Sequence, residues 1–169
     1  EYSRELLMKY DLHREIYALT NGVDTEFFHK TEQAGGRFRI FFHLPVDKKV
    51  VISAGHLIHR KGIEDFLEMA KRMPDIIFLW FGGGNNALIP AEIKKAVAEK
   101  PENVIFAGFQ PSGILRDAYC GADAFAFFSY EETEGIVVLE ALSCDIPVIV
   151  RDILVYEGWL TAGEQVRKA

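Results

Sequence analysis

Between Lys49 and Val150 short apolar runs alternate with segments of helical spacing, and this alternation limits the fold more than any other feature of the chain. The runs "KVVISA", "DIIFLWF", "NVIFAG", "DAFAFF" and "PVIV" are nearly continuous in apolar character. Strands buried on both faces of a parallel sheet read this way. Between them, "GIEDFLEMAKRM", "PAEIKKAVAEK", "PSGILRDAYCGA" and "EGIVVLEALSC" read as helices. In the first of these Ile63, Phe66, Leu67 and Ala70 form one apolar stripe, while Glu64, Asp65, Glu68, Lys71 and Arg72 face away. Pro90 suits the first turn of the second. Right-handed crossovers place such helices on both faces of the sheet, so the expected fold is α/β, a doubly wound Rossmann-like parallel sheet.

The segment before Lys49 is less regular. "IYALT", residues 16–20, reads as a short strand followed by the turn "NGVD". In "RFRIFFHL" Phe38, Phe41 and Phe42 fit helical spacing, which favours a short helix before Pro45. At 169 residues and 49% hydrophobic content the chain is long enough for one well-cored domain and short for two, so residues 1–169 are read as a single domain. The start "EYSRELLMKY" has no initiator methionine and no signal-peptide order, and suggests a piece of a longer protein.

Charge and cysteine content narrow the function. A net charge of -6 with no basic stripe argues against nucleic acid as a partner, so any phosphate must be held locally. Cys120 and Cys144 lack metal-site spacing, which disfavours a metal or disulfide framework and fits a reduced, cytoplasmic setting. No apolar run approaches the ~18 residues of a membrane span.

In a doubly wound sheet, ligands bind beyond the carboxyl ends of the strands. Four loops lie there, at Gly55, Gly82, Gly108 and Ser129. In "GHLIHRKG" a strand end, a helix start, Arg60 and Lys61 meet, which makes either an anion site or a solvated loop with two surface cations. "FGGGNN" lacks the GxGxxG spacing of a dinucleotide loop, although its glycines, Gly82 first, allow close approach of a ligand. In "AGFQPSG" Phe109 and Gln110 could face a planar base, or Phe109 could be core and Ser112 a helix cap.

The fourth loop, "SYEETEGIVVLEALSC", carries the sharpest signal. Ile136, Val137, Val138, Leu139, Ala141 and Leu142 would make its helix apolar on nearly all sides and therefore buried. Glu140 in that helix must then be paired, protonated or aimed at a polar ligand such as the vicinal diol of a ribose. Arg116 and Arg151 are candidate ion-pair partners. Glu132, eight residues earlier, could hold sugar hydroxyls, whereas Glu131 reads as solvent-facing and Glu134 as favouring the helix N-terminus.

Together, Glu132-x7-Glu140, "GHLIHRKG", "NVIFAGF" and "NGVDTEFF" resemble the donor-binding C-terminal domain of retaining GT-B glycosyltransferases of family four, from about Ile16 to Ile153. "LRDAYCGADAF" and "RDILVYEGWL" are similar to bacterial glucosyl-diacylglycerol synthases. The resemblance implies transfer of a hexose, glucose from UDP-glucose, with retention of configuration. It implies that Arg60 and Lys61 neutralise the diphosphate, that Glu132 contacts the donor sugar, and that Glu140 binds the ribose. Phe109 would lie beside the base, and the amides of Gly135, Ile136 and Val137 would face sugar and phosphates, with Gly55 and Gly82 lining the site. The family works without a bound metal or other cofactor, through a front-face reaction in which the leaving phosphate helps deprotonate the acceptor.

The acceptor, a lipid or saccharide, and any peripheral contact with the inner face of a membrane would belong to the missing N-terminal domain, so this chain alone should bind donor and transfer nothing. Departures from the family pattern are Glu134 in place of phenylalanine, Asp145 in place of glycine, and "FGGG" in place of Gly-x-Gly. Two rival readings are a non-catalytic nucleotide-sugar or nucleotide-binding module and an interaction domain whose glutamates form internal ion pairs.

Overall fold

A computed structural model describes residues 2–10, 14–84 and 86–169. Helices α1 (Tyr2–Met8) and α2 (Glu32–Phe41) precede the regular alternation. It then runs β1 (Val50–Ala54), α3 (Ile63–Arg72), β2 (Ile77–Phe81), α4 (Ala91–Ala98), β3 (Val104–Gly108), α5 (Ser112–Gly121), β4 (Ala124–Phe127), α6 (Ile136–Ser143), β5 (Val148–Val150) and β6 (Arg167–Lys168).

The six strands make one sheet in the order β3-β2-β1-β4-β5-β6, with every described pairing parallel. The chain winds outward from β1 to β3 and then returns to the other side of β1 with β4. That reversal creates a crevice at the carboxyl ends of β1 and β4, the place where open α/β sheets bind ligands.

The apolar runs are buried because both faces of the sheet are covered. All five residues of β1 are buried. One cluster, on the side of α2, α5 and α6, includes Phe38, Ile52, Leu79, Tyr119, Phe125 and Val138. The other, on the side of α3 and α4, includes Val51, Phe66, Phe78, Trp80 and Ile93. The α3 stripe read from the sequence is the buried set Ile63, Phe66, Leu67 and Ala70.

Several local expectations change. "IYALT" forms no strand: residues 15–24 have no ladder partner, and Leu19 is 92% exposed. Ile16 is half-buried and residues 17–20 are exposed, so the run covers no core that would hold it as a strand. Pro90 and Pro111 are N-caps, one residue before their helices, and Ser112 is the first residue of α5 with no side-chain cap bond. Helix α6 is less enclosed than its composition suggests. Only Val138 and Ala141 are fully buried there, and Ile136 is exposed, because α6 lies at the mouth of the crevice. Among the described residues no helix is long and apolar enough to cross a membrane.

Candidate functional site

The helices that follow the two strands flanking the crevice begin alike. Gly62 is the N-cap of α3 and Gly135 that of α6, both left-handed, with φ of 71° and 77°. A side chain at either would strain the backbone and also collide: a Cβ on Gly62 would lie 2.2 Å from the Phe128 carbonyl oxygen, and one on Gly135 2.8 Å from the Tyr156 hydroxyl. These contacts pull the start of α3 onto the chain leaving β4, and the start of α6 onto the segment after β5.

The cationic loop and the acidic loop are stitched together across this junction. The Arg60 carbonyl accepts hydrogen bonds from Tyr130 N at 2.8 Å and from the Ser129 hydroxyl at 2.9 Å. Arg60 Nη1 donates to the Glu131 carbonyl at 2.6 Å and lies 3.8 Å from Glu132 Oε1. Lys61 Nζ donates to Glu132 Oε1. Both partners of this ion pair are well shielded, with side chains 13% and 7% exposed. The ammonium also sits 5.2 Å from the centroid of the Phe127 ring, and the methylenes of Lys61 lie over Gly55. The resemblance assigns Lys61 to the diphosphate and Glu132 to the donor sugar; the structure brings the two side chains into direct contact.

Tyr156, whose hydroxyl has no hydrogen-bond partner among the described residues, is pushed upward in pKa by burial and by the nearby Glu132. Glu132 therefore stands between a cation and a buried phenol. Most of the Arg60 guanidinium's donors remain available to an anion, since among the described residues only one backbone carbonyl and a distant carboxylate engage it.

Glu140 is half-buried on α6. The alternative ion pairs with Arg116 or Arg151 do not form: Arg116 pairs with Asp117 at 3.0 Å and Arg151 with Asp65 at 2.6 Å. Its partner is the Tyr119 hydroxyl, which donates to Oε2 at 3.1 Å. Burial holds the Glu140 carboxyl above its ordinary value, and the Tyr119 hydrogen bond pulls the other way. The tyrosine is driven well above its own ordinary value by burial and by Glu140, so it stays the donor.

Glu134 does not simply face the helix dipole. Its carboxylate accepts from Asn21 N at 3.1 Å and from Asn21 Nδ2 at 2.6 Å, tying the extended "NGVD" segment to the start of α6; the turn itself falls one step later, at residues 25–28. Glu131 is exposed as expected.

The remaining loops line the rim. Gly55 N donates to the Phe81 carbonyl at 2.9 Å and Gly82 N to the Gly108 carbonyl at 2.7 Å, so the ladder continues past the strands. Asn85 of the "FGGGNN" loop lies outside the described residues. Phe109 is not core: it is 87% exposed, carried outward by Gly108 with φ of 67°. An open cleft of about 330 Å³ adjoins Glu132, lined also by Tyr130, Ile153 and Leu154.

Sequence reading gave no individual role to Tyr119, Tyr156 or Asn21. For Tyr119 a signal existed, because a tyrosine on the core side of a helix needs a partner for its hydroxyl. For Asn21 and Tyr156 the contacts depend on chain segments far apart.

The family described as glycosyl transferases group 1 matches residues 37–166. The chain is 43% identical over 153 residues to the processive diacylglycerol alpha-glucosyltransferase of Acholeplasma laidlawii, a match covering 90% of this chain and 46% of that protein. It is 34% identical over 164 residues to the alpha-galactosylglucosyldiacylglycerol synthase of Streptococcus pneumoniae, covering 91% and 44%. The chain thus spans about half the length of the curated relatives it matches. Among solved structures, sucrose-phosphate synthase from Thermosynechococcus elongatus is 25% identical with a TM-score of 0.76, over 89% of this chain and 39% of that one. Anabaena HepE, solved in complex with UDP-glucose, is 18% identical with a TM-score of 0.77 over 89% and 42%, a likeness of fold.

Proposed function

Because the chain belongs to the glycosyl transferases of group 1, we propose that it is the donor-binding half of an enzyme that transfers glucose from UDP-glucose to diacylglycerol with retention of configuration. The observation that carries this reading is the meeting of Arg60 and Lys61 with Glu132 at the strand-order reversal, beside the start of α6. Phosphate oxygens placed there face two cations, the amides of Ile136 and Val137, and the positive end of α6.

In this reading the diphosphate takes over part of the Lys61 ammonium's hydrogen bonding, and Glu132 turns its freed oxygen to the hydroxyls of the donor sugar. The cations stabilise the charge that develops on the departing diphosphate. Fixed charges and dipoles of this kind supply much of the rate enhancement in such sites. Glu140 accepts the two ribose hydroxyls, and exposed Phe109 offers a ring to the base. The cations facing the diphosphate are side chains, and the reading assigns no metal. The lipid acceptor and any membrane contact fall to the part of the relatives' length that this chain does not span. The diacylglycerol acceptor is supported by the names of the two curated relatives, both lipid glycosyltransferases.

Calorimetric titration of the chain with UDP, UDP-glucose, UDP-galactose, GDP-mannose and UDP-N-acetylglucosamine tests the donor. UDP and UDP-glucose should bind most tightly, and preference for GDP-mannose would refute the assignment. For the whole enzyme, incubation with UDP-glucose and diacylglycerol vesicles should give an α-linked glucolipid by NMR. A β-linked product would refute retention.

A further inference from the structure

Tyr119 lies late in α5 with 1% of its surface exposed, its ring edge-on to Phe125 at 5.4 Å and to Phe28 at 6.3 Å. Phenylalanine would make each of those ring contacts equally well. The hydroxyl is the part of the residue that the core does not need, and burying it is costly unless it is paired. Its partner is Glu140 Oε2.

The geometry makes that hydroxyl an orienting group. Glu140 is the fifth residue of α6, and the Cα–Cβ bonds of a helix tilt toward its N-terminus. The carboxyl therefore leans toward Gly135 and the crevice, and a hydroxyl arriving from α5 fixes how it turns. Among the described residues no other hydrogen bond to the Glu140 carboxylate is present, and its Oε1 is left without one. A carboxylate has about four lone-pair sites, so one tyrosine leaves ample capacity for a ligand. A neutral donor orients the carboxylate without cancelling its charge, whereas an arginine or lysine in its place would neutralise it and compete with the ligand's hydroxyls. The two arginines that the sequence offered as partners are engaged by aspartates, Arg116 by Asp117 and Arg151 by Asp65.

We infer that Tyr119 is a positioning residue for nucleotide recognition: its hydroxyl sets the Glu140 carboxylate to accept a vicinal diol, and so supports ribose binding without touching the ligand. The inference rests on the reading of Glu140 as the ribose acceptor given above.

The test compares the unsubstituted chain with Tyr119→Phe by calorimetry, using UDP and 2′,3′-dideoxy-UDP, with thermal unfolding recorded for both proteins. The unsubstituted chain should prefer UDP. Tyr119→Phe should weaken UDP roughly tenfold, the scale of a lost hydrogen bond to a charged group, and leave dideoxy-UDP nearly unchanged. The preference for the diol then shrinks. Equal weakening of both ligands would assign the hydroxyl to the core alone, and unchanged UDP affinity would make it dispensable; either overturns the inference. If the unsubstituted chain binds the two ligands equally, or does not bind UDP, the diol reading of Glu140 fails and takes the positioning role with it.

Discussion

Replacing Lys61 by methionine asks whether charge holds the two halves of the site together. Methionine keeps most of the stem that lies over Gly55 and removes the ammonium. Glu132, its side chain 7% exposed, is then left with Arg60 at 3.8 Å as its remaining ion-pair partner. Removing one member of a buried ion pair costs about 3–5 kcal/mol, and the retained arginine reduces the expected loss to about 2–3 kcal/mol. For a domain of this size that lowers Tm by about 4–12 °C.

Glu132→Gln is milder, about 1–2 kcal/mol, because the ammonium keeps a neutral acceptor and the Phe127 ring. The double substitution strands neither charge, so it should cost at least about 1.5 kcal/mol less than the sum of the single changes. Urea unfolding followed by far-UV circular dichroism closes the cycle. Additivity within about 0.5 kcal/mol would refute the claim that this pair couples the loops. The same proteins separate stability from binding: Lys61→Met should weaken UDP, whereas Glu132→Gln, which removes a competing anion, should tighten it several-fold.

Two further expectations follow from the same region. Gly135→Ala combines a left-handed backbone with a Cβ 2.8 Å from the Tyr156 hydroxyl and should cost about 2–4 kcal/mol. Adding Tyr156→Phe should recover part of that loss in urea unfolding, and a neutral Gly135→Ala would contradict the packing. Glu140 has a pKa raised above 4.5 by burial, so the folded chain binds this proton more tightly than the unfolded chain does. Its contribution to stability is fully present below the unfolded value and is lost as pH rises through the folded one. Glu140→Gln should therefore gain in Tm relative to the unsubstituted chain between pH 4 and pH 7, and a pH-independent difference would refute the assignment.

The strands and the α3 stripe were legible because their signal is local: an apolar run or a helical period is written in neighbouring residues. "IYALT" has the same local pattern and misleads, since a strand also needs a ladder partner and a core to cover, and this exposed segment has neither. β6 was illegible for the opposite reason. Arg167 and Lys168 pair with Ile149 and Val150 through their backbones, and their side chains carry no apolar pattern. In the site, the spacing of Glu132 and Glu140 was readable. Their present partners were not, because Lys61 and Tyr119 reach them only once β4 has been placed beside β1 and α5 against α6. Composition also overstated the burial of α6, whose apolar residues include one at the crevice mouth.

The separation between Lys61 and Glu132, 71 residues along the chain, has a consequence for biosynthesis. At ribosomal rates of about 5–20 residues per second, the cationic loop emerges roughly 4–14 s before its acidic partner. Strand β1 can pair with β2 in that interval, but its other edge stays open until β4 arrives. A largely apolar edge left open is a template for pairing with other chains. The strand-order reversal that creates the binding crevice therefore also creates the interval in which the nascent chain is most exposed to aggregation, and the ion pair forms only when that interval closes.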